Sequence, residues 1–251
     1  MIIRKSPYVK GYFMSRREEK PPWLRVKVPS STSREVMSVI SKRSIHTVCA
    51  EAKCPNQMDC FARGQATFLL LGPSCTRRCT FCAVAKTPVR PPDRDEPAQI
   101  AGAIKRLGLT YCVITMVTRD DLDDGGASHI KRTITAIRNL CPGMEMELLI
   151  SDLKGNWKAL DMILQMTPEV INHNVETVSR LYPEVRPQAD YGRSLDLLAR
   201  VRSVDRHIIS KSGIMLGLGE TREEILSTMD DLRKAGCQLL TLGQYLAPSA
   251  H

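Results

Sequence analysis

The stretch CTRRCTFC, residues 75–82, places three cysteines in eight residues. The spacing Cys75-x3-Cys79-x2-Cys82 sets three sulfurs on one compact loop, the arrangement needed to hold three corners of an iron–sulfur cube. Thiolates suit such clusters, and a cubane with three cysteine ligands keeps one iron open to a substrate. A second group, Cys49-x4-Cys54-x5-Cys60, offers three more thiols. Structural zinc prefers four ligands in paired motifs. Each group here has three cysteines and no second pair, so iron–sulfur ligation is the better account. Zinc stays open for the first group, because His46 would complete a Cys3His set. Nine cysteines in a chain with no mark of secretion make a poor disulfide framework. Cys112, Cys141 and Cys237 stand apart and read as small buried hydrophobes. Phe81, just before the last cysteine, reads equally as loop packing.

The elements that position the loop follow a regular beat. TFLLLG (67–72) reads as a buried strand ended by Gly72-Pro73, and the cysteines follow at once. Further strands are expected at 111–117, 146–150, 169–175, 207–216 and 238–243. Between them lie apolar stripes at helix spacing: Ile100/Ile104/Leu107, Ile130/Ile134/Ile137, Leu160/Ile163/Leu164, Leu195/Leu198 and Ile225/Met229/Leu232. The last helix opens on a capping-box pattern, Thr221-x-x-Glu224. Right-handed crossovers turn six such beats into a curved parallel sheet. Six fall short of eight, so the expected fold is α/β, an open partial (β/α)6 barrel at 63–251. An extension at 1–62 would carry the first cysteine group.

Sites in parallel α/β folds collect at the carboxyl ends of strands. Polar residues gather at those ends: Arg119 to Gly126 after the second strand, then Asn172, His173, Asn174 and Glu176, then Lys211, Ser212 and GLGE (217–220). Each is weak alone. Together they are expected to ring the face that holds Cys75, Cys79 and Cys82.

Composition limits the function classes. The chain has 251 residues, 43% apolar and 25% charged, enough to bury a core without staples. No apolar run is long enough to span a bilayer, and the start is too broken by charge for a secretory signal. The absence of an acid before Glu18 also suits an organelle presequence, but a cytoplasmic protein of bacterial type is the preferred expectation. Residues 1–43 carry a net charge of +8 and the rest +1. That distribution argues against nucleic-acid binding, which needs a basic folded face. The basic arm reads either as a solvated tail or as a dock for an acidic partner.

The C-x3-C-x2-C loop with its aromatic resembles the radical S-adenosylmethionine (SAM) superfamily, and the Cys49/Cys54/Cys60 set narrows the resemblance to the lipoyl synthases. PPWLRVKVP, the run from HTVCAEAKCPNQMDC to TRRCTFCAV, VTRDDLDDGGASH, HNVETV, YGRSL, KSGIMLGLGET and LTLGQYLAPS carry it over residues 20–249. It implies sulfur insertion at C6 and C8 of an octanoyl chain borne on a lipoyl-carrier protein. The acceptor would be a glycine-cleavage H protein or an E2 lipoyl domain, and the electron donor a ferredoxin or flavodoxin. Such aliphatic C–H bonds give an acid or base nothing to act on. The resemblance implies that Cys75, Cys79 and Cys82 hold a [4Fe–4S] cluster whose fourth iron binds SAM. Cys49, Cys54 and Cys60 would hold an auxiliary [4Fe–4S] cluster spent as sulfur donor. It further implies cofactor contacts by Phe81, Gly125, Gly126, Asn174 and Glu176, the last two on ribose hydroxyls. Arg193 would meet the methionine carboxylate, Lys211 would either neutralise cluster or substrate charge or form a strand-end salt bridge, and His173 would sit behind the site.

Two features depart from the family. Relatives carry an Arg-Ser-Ser-Tyr motif near their end whose serine ligates the auxiliary cluster, and these 251 residues contain none. The fourth auxiliary iron therefore has no nominated ligand. Met116 stands where relatives usually have serine. The rival readings are another sulfur-inserting enzyme of the biotin-synthase kind, or an inactive iron–sulfur binding homologue.

Overall fold

The computed structural model describes residues 30–42, 45–54 and 56–247. The basic arm lies largely outside them. Six parallel strands run in chain order: β2 (Thr67–Leu70), β3 (Tyr111–Met116), β4 (Glu145–Leu149), β5 (Val170–Asn172), β6 (Ile209–Leu216) and β7 (Leu239–Gln244). A two-residue strand, β1 (His46–Thr47), adds to β2 in the antiparallel sense. Each parallel strand pairs with the one before it, which is how successive right-handed crossovers wind a single curved sheet. This is the expected partial barrel, with β1 as an addition that two residues of His-Thr could not announce.

The crossover helices are α4 (Glu96–Leu107), α5 (Ala127–Leu140), α6 (Trp157–Leu164), α8 (Tyr191–Val204) and α9 (Arg222–Lys234). They coincide with the five apolar stripes. Ile100, Ile104, Ile130, Ile134, Ile137, Leu160, Ile163 and Leu198 are all fully or almost fully buried against the strands. Removing such side chains from water contributes about 1.5–3 kcal/mol apiece. The capping box at Thr221 and Glu224 forms both of its hydrogen bonds, at 3.2 and 2.8 Å. A short α7 (Tyr182–Val185) and two 3-10 turns (Leu153–Gly155 and Ser179–Leu181) fill loops where no periodicity could show.

Ahead of the barrel lie α1 (Ser31–Lys42), α2 (Val48–Glu51) and α3 (Gln57–Ala62). Val36, Cys49, Phe61 and Ala66 form a small core of their own, packed on Leu107 of α4. Val39 and Ile45 instead enter the main core. Among the described residues, no helix is long and apolar enough to cross a membrane.

Candidate functional site

β2 hands over to the cysteine loop through Leu71, whose φ of 69° is one that a branched side chain adopts only under constraint. The constraint is visible. The Leu71 N–H donates to Glu96 Oε2 at 2.9 Å, and His129 Nε2 lies 2.6 Å from the same oxygen. Gly126 at the head of α5 leaves room for the turn. A Cβ there would stand 2.5 Å from Leu71 Cδ1, and the φ of 96° already favours glycine.

The loop itself is tied to its surroundings at several points. Cys75 N–H donates to Ala85 O at 3.0 Å, closing its base. Thr76 N–H and hydroxyl both donate to Thr118 O after β3, at 3.0 and 2.9 Å. Thr80 N–H reaches Val185 O at 3.0 Å, and Arg78 N–H reaches Gln188 Oε1 at 2.7 Å. Arg77 is the central tie. Its guanidinium grips Asp120 with two hydrogen bonds of 2.7 and 2.9 Å, and Asp152 Oδ1 with one of 2.6 Å. Burial alone would raise the Asp152 carboxyl, yet the hydrogen bond and charge of Arg77 bring it down to about 2.

Within this frame the three thiols of the loop are half-buried and near one another. Burial pushes the Cys79 thiol up, and Cys82 and Cys75 push the same way, while Arg186 and Lys86 oppose them. Phe81 packs on Val178, Leu181 and Val185, so the loop-packing reading describes its place.

The end of β5 completes the face. His173 is buried, with Nδ1 donating to Ile150 O at 2.8 Å and Nε2 3.0 Å from Ser194 Oγ. Burial, reinforced by the Arg186 charge, lowers it to about 4 and keeps it neutral. It stands behind the site as expected. Glu176 returns to pair with β6: its N–H donates to Gly213 O at 2.9 Å, and its own carbonyl accepts from Met215 at 2.8 Å. Those two bonds hold its φ at 66°. Asn174 lies against Gly213, whose lack of a side chain leaves it room. Arg193, on the first turn of α8, donates to Asp152 Oδ2 at 3.2 Å and is about a third exposed. Its remaining donors are therefore available to a carboxylate.

Lys211 is level with the last residues of β4 and β5, but its ammonium bonds both oxygens of Glu147 at 2.8 and 2.9 Å. Asn172 and Tyr111 donate to the same carboxylate. Gly125 packs against Leu153, beside a cleft of about 280 Å³ that also takes in Asp123 and Asn156.

The other cysteine group lies at the opposite end of the strands. Cys49 and Cys60 line a cavity of about 490 Å³ together with Arg63, Thr67, Tyr111 and Val113, that is, with the first residues of β2 and β3. Burial pushes the Cys49 thiol up, and its neighbours Cys54 and Cys60 add to this. His46, which would complete a zinc set, has its Nδ1 2.8 Å from Glu51 Oε1. Among the described residues, no three His, Cys, Asp or Glu side chains converge on a point that a single metal ion would occupy. The donor chemistry of both groups, three thiols and no other side chain, fits a multi-iron cluster better than a lone ion.

Arg77, Asp152, Arg186 and the Glu96–His129 pair were not singled out by sequence reasoning. Arg77 alone carried a signal: an arginine between two clustered cysteines, with aspartates at the following strand ends.

Residues 69–232 match the radical SAM superfamily. The chain is similar to lipoyl synthases of Caldanaerobacter subterraneus (50% identity; 92% of this chain, 81% of that protein) and Desulfotalea psychrophila (52%; 93% and 78%). The lipoyl synthase of Geobacter metallireducens is 51% identical over 92% of this chain and 81% of its own length. Among solved structures it is similar to methylornithine synthase (TM-score 0.56, 12% identity; 87% of this chain, 61% of that one). The SAM-bound SuiB protein of Streptococcus suis gives a TM-score of 0.58 at 13% identity, over 76% and 45%. The chain covers less than two thirds of either structure, and at such identities the likeness is one of fold alone.

Proposed function

The chain belongs to the lipoyl synthase family of the radical SAM superfamily, and from that premise we propose that it inserts sulfur at C6 and C8 of an octanoyl group carried on a protein. Family membership brings a [4Fe–4S] cluster, SAM and an acyl-carrier substrate. The observation that carries the assignment of residues is the cysteine loop, fixed to the ends of β3 and β4 through Arg77, Asp120 and Asp152.

Cys75, Cys79 and Cys82 would hold the cluster that binds SAM. Cys49, Cys54 and Cys60 would hold an auxiliary cluster. When bound, these groups would supply a hydrogen-abstracting radical and sulfur, respectively. The chain's own residues position and shield. Asn174 and Glu176 offer an amide and a carboxylate to two ribose hydroxyls. Arg193 offers a guanidinium to the methionine carboxylate while Asp152 keeps it in place. Gly126 lets the backbone come close at the head of α5, Gly125 shapes the turn before it, and Phe81 anchors the loop beside the cofactor. Lys211 neutralises Glu147 inside the barrel. A division near residue 62 would set off the extension that bears the auxiliary thiols.

The substrate would be an H protein or an E2 lipoyl domain, with reducing electrons from a ferredoxin or flavodoxin, in the cytoplasm. The test is anaerobic incubation of the reconstituted chain with SAM, dithionite and an octanoyl-lysyl peptide. The reading expects a peptide product that gains two sulfurs with no net change in hydrogen, two C–H bonds having become two C–SH groups under these reducing conditions. An unmodified peptide alongside SAM cleavage would restrict the chain to the first half of the reaction.

A further inference from the structure

Arg186 is a buried cation that makes no ion pair among the described residues. Only 8% of it is exposed, and among the described residues no carboxylate lies within ion-pair distance. Its Nη1 is spent on the Asn174 and Val175 carbonyls, at 2.9 and 3.1 Å, and on the Tyr182 hydroxyl at 3.0 Å. The guanidinium lies over the Tyr182 ring, 5.2 Å from its centre. Its buried Nε–H has no acceptor. The other buried arginines of this face differ: Arg77 has Asp120 and Asp152, and Arg119 has Asp121. A charge left unpaired out of water is costly, and a fold keeps one where an anion is to be met.

The anion is close by in sequence and space. Val185, the preceding residue, accepts the Thr80 N–H between Cys79 and Cys82. Phe81 packs on Val185 and the Thr80 hydroxyl reaches the Val185 carbonyl at 3.4 Å, so Arg186 follows directly on the residue against which this turn is built. Three thiols become three thiolates when a cluster is bound, and one-electron reduction adds a further negative charge. Resting on the function proposed above, we propose that Arg186 is a positioning residue that serves as fixed counter-charge to the loaded loop, favouring the reduced, more anionic cluster. The potentials of such clusters respond to net charge and hydrogen bonding around the sulfurs.

The test is a redox titration of the reconstituted full chain, followed by electron paramagnetic resonance, with the SAM-responsive signal identifying the relevant cluster. Arg186→Gln keeps a donor for the two carbonyls and removes the charge; Arg186→Lys keeps the charge. The glutamine variant is expected to be harder to reduce by about tenfold, 59 mV for one electron, and the lysine variant to recover most of that shift. Should the glutamine variant fail to fold, judged by circular dichroism of the apo chain, Arg186→Met is titrated instead. An unchanged potential in the neutral variant, or an equal shift in both, overturns the inference. A wild-type chain with no SAM-responsive signal would overturn the functional assignment rather than this one.

Discussion

Arg77 Nη2 lies 2.6 Å from Asp152 Oδ1, joining the middle of the cysteine loop to the end of β4 through a carboxylate that has no exposed surface. Asp152 bonds Arg193 with its other oxygen, so a single carboxylate aligns a residue of the cysteine loop with one on α8.

Asp152→Ala would leave Arg77 with Asp120 alone and Arg193 without its partner. Removing one member of a buried pair costs about 3–5 kcal/mol, and the surviving Asp120 contact places the expectation at the lower end. Urea unfolding of the apo chain measures it. A loss within about 0.5 kcal/mol, the range of an ordinary surface change, would contradict the role given to Asp152.

The two titrating groups behind the site make stability depend on pH in separate windows. His173 is neutral in the fold down to about 4, below its value of 6.5 when unfolded. The unfolded chain therefore takes up the proton first, and stability falls as pH drops from 6.5 towards 4, by about 3 kcal/mol at the end of the window. Asp152 is held at about 2, so its contribution is present above 3.8 and disappears between there and 2. Melting temperatures of the apo chain and of His173→Asn across this range check the first window. The asparagine variant should lose much of the slope above pH 4, and an unaltered slope would exclude His173 as its source.

Gly213→Ala would put a methyl 2.7 Å from Asn174 Oδ1 and 3.1 Å from its Cγ. The β6 backbone accepts alanine at this position, so the fold should survive while Asn174 is displaced. SAM affinity of the reconstituted variant, measured by equilibrium dialysis, is expected to fall about tenfold, the worth of roughly one hydrogen bond to the ligand. Unchanged affinity would remove Asn174 from the site.

The two cysteine groups should separate by function. Replacing Cys75, Cys79 or Cys82 with alanine is expected to abolish SAM cleavage. Replacing Cys49, Cys54 or Cys60 should leave cleavage and remove sulfur transfer. Iron counting together with 5′-deoxyadenosine and peptide-product assays reads both. Loss of cleavage on changing the second group alone would show that the groups are not independent.

The crossover helices were legible because each shows one face to the core, as Ile130, Ile134 and Ile137 do at helix spacing, and β2 because Phe68, Leu69 and Leu70 form a short apolar run buried on both faces. β1 was not, since two residues have no period. The same holds for α7, whose Tyr182 and Val185 lie in a segment too short to repeat. Cysteine spacing announced both thiol groups, because residues a few positions apart stay together in the fold. It could not announce Arg186 or Asp152. Their meaning rests on which distant carbonyl or guanidinium they meet, and residues 77 and 152 come together only when β2 and β4 flank β3. For Lys211 the sequence allowed a strand-end salt bridge but could not name its partner, Glu147, which lies 64 residues away.

The most direct measurement is anaerobic reconstitution of the full chain, with iron and sulfide counted and 5′-deoxyadenosine quantified after SAM and dithionite are added. The account predicts about eight irons, those of two cubanes, and release of 5′-deoxyadenosine that disappears in Cys79→Ala. A chain that takes up iron at Cys75, Cys79 and Cys82 yet leaves SAM intact under reducing conditions would contradict it.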